Sequence, residues 1–277
     1  MVRSSIDIRP SPLAGKWYPA NPDALKTMLD RFLQAVPPRQ VDGTIRGLLA
    51  PHAGLQYSGP VAAHAFALVK GLAFDKVVIV GPMHHPMPGH ILTTAHTAYE
   101  TPLGTVPVDQ AALAAIGKTL HLDAIRNDPE HSVEIELPFL QQVLTPGFSL
   151  IPLMLRDQST EQAQALGAVL ADVLRDRRAL LVASSDLSHF YTQDIAHRLD
   201  TKMLDCVAAM DGEHIVEYNE RGKAFACGYG AIATVINALK SWEVNRAEVV
   251  NYATSGDVTG DFSRVVGYGA AAFWHIR

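Results

Sequence analysis

Residues 76–85 read Lys76-Val-Val-Ile-Val-Gly-Pro-Met-His84-His85. Four consecutive β-branched residues leave no polar face, so this segment is a strand covered on both sides. It then runs through Gly81-Pro82 and delivers two histidines. Two other segments repeat the design. Residues 45–50 (IRGLLA) lead into Pro51-His52-Ala-Gly54, and residues 179–184 (ALLVAS) lead into Ser185-Asp186-Leu187-Ser188-His189. Strands are also expected over 148–155, 247–253 and 264–274. Amphipathic stretches lie between them. Residues 23–35 set Leu25, Met28, Leu29, Phe32 and Leu33 on one helical face. Helices are likewise expected over 61–70, 109–118, 132–144 (with Ser132 as its cap), 160–176, 194–210 and 228–241. Pro37-Pro38 and 82–108 read as irregular, and no shift in composition marks a linker. Doubly covered strands spaced by helices predict an α/β fold. The expectation is one domain, residues 1–277, with a largely parallel or mixed central sheet flanked by helices.

The 277 residues are 48% hydrophobic and 18% charged, enough apolar surface for a sizeable core and too much for disorder. Twenty-three basic against 28 acidic side chains give a net charge of −5, which argues against nucleic acid or an anionic membrane as partner. The most apolar runs, such as 265–274, fall short of the ~20 residues of a spanning helix. Residues 1–10 lack the apolar core of a secretory leader. Two cysteines, Cys206 and Cys227, make no disulfide framework and suit a reducing compartment, so a cytoplasmic protein is expected.

Twelve histidines need a positional filter. In open α/β sheets, ligands bind beyond the carboxyl ends of the strands. That rule selects His52, His84-His85 and His189 with Asp186. Cys227 precedes the helix expected at 228–241, where a helix N-terminus favours thiolate, the form that binds metal or attacks as a nucleophile. His52, His84 and Cys227 can therefore form a three-ligand metal site with open positions. Singly, each has a plainer reading: a turn at His52, a helix cap at Asp186, a small buried residue at Cys227. Their convergence on one sheet edge favours the site. Glu130-His131-Ser132-Val133-Glu134 crowds a helix start and could bring His131 and Glu134 to the pocket. Ser255, after strand 247–253, is a further candidate for the same crevice.

Taken together, these segments resemble the Memo family (mediator of cell motility), whose bacterial and archaeal members are known as AmmeMemoRadiSam system protein B. The resemblance spans nearly the whole chain. It is carried by Ala14-Gly-Lys-Trp-Tyr-Pro19, Ala50-Pro-His-Ala-Gly54, Gly81-Pro-Met-His-His85, Glu130-His-Ser-Val-Glu134, Ser184-Ser-Asp-Leu-Ser-His189, Cys227-Gly228 and Asn251-Tyr-Ala-Thr-Ser255. It implies kinship with the class III extradiol dioxygenases, which hold non-haem iron on two histidines and a carboxylate. On that pattern His52 and His84 are the histidine ligands, Cys227 stands at the third position, and His189 beside Asp186 is the acid/base. Thiolate in place of carboxylate softens the site, so copper or zinc competes with iron as the divalent metal. It also weakens the case for ring cleavage. Met83 stands where the family carries Ser. The implied function is a metal-binding redox protein for a small organic substrate. The resemblance also raises an adaptor role with a vestigial pocket, and radical-SAM or AMMECR-type protein partners. A Cys227/His nucleophilic hydrolase is the third expectation.

Overall fold

The computed structural model describes residues 7–276; the reading of Met1–Ile6 as part of a leader-free N-terminus lies outside them. The strands are β1 (Ile8–Arg9), β2 (Thr44–Ala50), β3 (Lys76–Pro82), β4 (Ile91–Thr94), β5 (Ala98–Thr101), β6 (Gly104–Pro107), β7 (Asp123–Ile125), β8 (Ser149–Leu155), β9 (Ala179–Ser184), β10 (His189–Tyr191), β11 (Arg246–Thr254) and β12 (Val265–His275). The helices are α1 (Pro22–Ala35), α2 (Leu55–Ala67), α3 (Gln110–Ile116), α4 (Leu137–Val143), α5 (Thr160–Val173), α6 (Gln193–Ala208), α7 (Gly212–Glu220), α8 (Tyr229–Ser241) and α9 (Gly256–Thr259).

Nine strands form a mixed sheet in the order β10-β12-β2-β9-β3-β8-β4-β7, with β11 also on β12. Its centre, β2-β9-β3-β8, is parallel, whereas β12 joins β2 antiparallel. The central strands are apolar on both faces because helices cover both. α8 lies on β2, β3 and β9 with α5 and α7 packed against it; α2 lies on β2, β11 and β12, buttressed by α1 and α4. As read from the 3.6-residue period, α1 buries Leu25, Leu29, Phe32 and Leu33. Asn21 caps it by accepting from the backbone N–H groups of Asp23 and Ala24.

The structure corrects three local expectations. The helix expected at 61–70 begins at Leu55 and carries Pro60 inside it. The helix expected at 132–144 is a 3-10 turn at Glu134–Glu136 followed by α4. Pro138 has no N–H to offer the Glu134 carbonyl, so the turn ahead of it tightens. Ser132 does not cap it; its hydroxyl donates to the Pro82 carbonyl at 2.8 Å. The segment 82–108, read as irregular, contains β4, β5 and β6. β1, β5 and β6 form a separate three-stranded sheet, and β4 pairs with β7 and β8. Strands of four residues carry too little periodicity to be seen before their partners are known.

Candidate metal centre

β2, β9 and β3 are parallel neighbours, with Ala50 opposite Ser184 and Val80 opposite Ala183, so all three chains leave the sheet at one edge. There His52, His84 and His189 emerge, as the carboxyl-edge rule requires. They open into a cleft of about 630 Å³ whose walls include Lys16, Trp17, Tyr57, His131 and Asp186.

The His52 and His84 imidazoles are each held by a hydrogen bond from Nδ1. His52, buried, donates from Nδ1 to Ser184 Oγ at 2.9 Å, and that hydroxyl donates to the Ser132 carbonyl at 2.6 Å, with Glu136 Oε1 2.8 Å away. His84, on the solvent side, donates from Nδ1 to Glu130 Oε1 at 2.9 Å. His131, half-buried, has Nδ1 within 3.2 Å of the same oxygen. Nε2 is the remaining nitrogen of each ring, and that of His52 faces Cys227 Sγ. A donor atom from each of His52, His84 and His131 lies within 4.8 Å of those of the other two. Metal-binding histidines are usually oriented by a hydrogen bond from the second ring nitrogen, often to a carboxylate, as Glu130 orients His84. The donors present therefore fit a divalent metal.

Glu130 organises this cluster. Oε2 accepts the His84 N–H at 2.6 Å, and Oε1 accepts the His131 and Ser132 N–H groups at 2.8 and 2.9 Å. Burial pushes its pKa up, but the His84 hydrogen bond and the two imidazoles overcome that and hold it well below the usual carboxylate range. Burial drives His52 far down and His131 to about 4, so both rings are neutral and have a lone pair to offer.

Cys227 Sγ lies 3.1 Å from His52 Nε2 and accepts the Asp186 N–H at 3.3 Å. It adjoins the cluster without belonging to the set of three. The lowered thiol pKa expected from the helix N-terminus is not found: burial, then the Asp186 carboxylate, push this thiol up. Gly228, not Cys227, is the N-cap of α8, so desolvation outweighs the dipole. Asp186 caps no helix. Its Oδ1 accepts the N–H groups of His52 and Ala53 at 2.7 and 3.3 Å, fixing the turn that carries His52. Burial raises it to about 7 against those two bonds. His189 donates from Nδ1 to the Leu187 carbonyl at 2.7 Å, and burial lowers it.

The other sequence candidates stand elsewhere. Glu134 is buried behind the wall, accepting from Tyr18 at 2.6 Å, Ser11 at 2.5 Å and the Arg9 guanidinium. Ser255 Oγ accepts the Val266 N–H at 3.0 Å, and neither it nor His85 lines the cleft. Residue reasoning missed Glu130, Ser184 and Glu136 as supports. It also missed Trp17, whose indole lies 4.4 Å from the His131 ring between centroids. The signal for Trp17 was its place in Ala14–Pro19, one of the segments that carry the family resemblance.

Fold and site together define an α/β protein with a histidine-lined candidate metal centre at the carboxyl edge of its sheet. The comparisons narrow the class. The chain belongs to the Memo-like protein family, whose profile matches residues 9–272. It is 36% identical to a MEMO1 family protein of Nitrosopumilus maritimus, over 96% of this chain and 99% of that one. It is 37% identical to one of Methanothermobacter thermautotrophicus, over 94% and 98%. Among solved structures, the uncharacterized protein JW3007 of Escherichia coli K12 superposes with a TM-score of 0.47 at 13% identity, over 82% of this chain and 99% of that one.

Proposed function

We propose that this protein is a metal-dependent redox protein acting on a small organic substrate, with iron, or in competition copper or zinc, held by His52, His84 and a third donor. The observation that carries the reading is the convergence of the three rings, two of them tethered through Nδ1. Such a metal supplies Lewis acidity and, for iron or copper, one-electron chemistry. The chain's own residues position and protect. Trp17 and Tyr57 give the cleft aromatic walls, and Lys16 stands at its rim. His189, with Nδ1 committed to a carbonyl, is left with Nε2 to take or return a proton. Asp186 positions His52 through the backbone.

Geometry favours His131 as the third donor, because its ligand atom lies within 4.8 Å of those of both other histidines; the family pattern favours Cys227, which must first lose its proton. Metal content and spin state of anaerobically purified wild type, His131→Ala and Cys227→Ser separate the two. About one equivalent in wild type, lost in one variant and kept in the other, assigns the third donor. No metal in wild type after anaerobic reconstitution overturns the proposal.

The 3.1 Å contact between Cys227 and His52 favours a second reading, a thiol–imidazole hydrolase. Rapid stoichiometric alkylation of Cys227 by iodoacetamide, undiminished by metal, is its signature. The raised pKa of this half-buried thiol predicts slow labelling instead.

A further inference from the structure

At the opposite end of the sheet, where β2, β3 and β9 begin, a cavity of about 410 Å³ opens. It lies about 20 Å from the metal centre, the length of a seven-residue strand. Its apolar lining is Ile45, Leu68, Phe74 and, on the exposed side, Leu72, which is 41% exposed. Its charged lining is all of one sign: Arg39, Arg46 and Arg178. Two of these have protein counter-charges. Arg39 pairs with Glu248, and Arg178 holds Asp75 at 2.7 and 3.3 Å. Arg46 has no carboxylate within ion-pair distance among the described residues. It is half-buried on β2, its guanidinium 5.1 Å from the Trp242 ring, and its hydrogen bond is a long one, 3.4 Å to the Arg177 carbonyl. A partly desolvated cation without a counter-charge destabilises a fold. Burial pulls its pKa down accordingly.

We infer that this cavity binds an amphiphilic anion: a carboxylate or phosphate-monoester head on the Arg46 fork, with a compact apolar tail over Ile45, Leu68 and Leu72. The guanidinium geometry matches either oxyanion through paired N–H donors. The volume falls within the range of small-molecule sites. This site is separate from the metal centre and does not depend on its chemistry.

Calorimetric titration of the full chain with octanoate and with octyl phosphate tests the inference; acetate supplies the charge without the tail, and 1-octanol the tail without the charge. One-site binding of an octyl anion is expected, with octanol and acetate far weaker, and the tighter of the two anions names the head group. Arg46→Met keeps the stem and removes the fork, so it weakens binding about tenfold or more while leaving the melting temperature unchanged or higher. Leu72→Glu, on an exposed position, sets a repelling charge at the mouth and gives the same loss without touching Arg46. Saturation by neither anion, octanol binding as tightly as octanoate, or equal affinity in wild type and Arg46→Met would each overturn it. A fall in melting temperature in Arg46→Met with unchanged affinity would instead mark Arg46 as packing against Trp242.

Discussion

Glu130 decides whether the three imidazoles can act together, because one carboxylate reaches two of the rings and three backbone N–H groups. Glu130→Gln is expected to lower metal affinity about 10- to 100-fold, the usual effect of losing a ligand's hydrogen-bond support; competition against a chromophoric chelator measures it. Arg9 works one layer further out. It is buried, bonds Asp128 Oδ2 at 2.7 Å and the Asp128 and Glu130 carbonyls at 3.0 and 2.8 Å, pairs with Glu134, and lies over the Tyr99 ring. Arg9→Met strands two buried carboxylates, so a loss of about 3–5 kcal/mol is expected in urea unfolding. A destabilisation under 1 kcal/mol would mean that those carboxylates simply protonate. Arg9 was invisible as a functional residue in the sequence, since its partners lie 119 to 125 positions away. His52 and His84 were visible, because each directly follows a strand that betrays itself.

At the scale of elements, the site exists because strand ends and one cross-chain loop meet without clearance. A Cβ on Gly81, in β3, would come within 2.6 Å of Ser132 Oγ and 2.7 Å of its Cβ. Gly81→Ala should therefore cost about 1–3 kcal/mol and, by displacing the segment that carries His131, weaken metal binding as well. Thermal melts with and without metal report both effects. α6 gives a pH signature. Its Asp200 accepts the Ser188 N–H and the Tyr252 hydroxyl, each at 2.8 Å, and burial raises its pKa despite them. A raised folded-state pKa means the folded chain holds this proton more tightly than the unfolded one. The contribution is full below the unfolded value and is lost as pH rises through the folded one. Urea midpoints should show that decline above about pH 4, and Asp200→Asn should flatten it. A slope unchanged in the variant would assign the decline to another group. Neither contact was legible beforehand: a helix face can be read from its period, but which strand glycine or serine it meets is set by packing.

Across the whole molecule, the sheet acts as a frame whose carboxyl edge holds the candidate metal donors and whose opposite edge holds the arginine-lined cavity. Metal that binds the folded chain alone should raise its stability by about 4 kcal/mol at a thousandfold excess over Kd. Calorimetry with Zn²⁺ or anaerobic Fe²⁺, reversed by chelator, checks this, and the gain should vanish in His52→Ala. No helix among the described residues is long and apolar enough to cross a membrane. The amino-acid order by itself determined the α/β class, the buried parallel strands and the edge at which histidines collect, because β-branched runs and 3.6-residue periods are local properties of the chain. It also carried the family, through short segments spread from Ala14 to Ser255. Only the tertiary structure decided that His131 joins His52 and His84, that Glu134 turns away to Arg9 and Tyr18, and that desolvation pushes the Cys227 thiol pKa up beside the cluster. Those outcomes depend on distances between residues far apart in the chain and on desolvation, and both come into being only when the core closes around them.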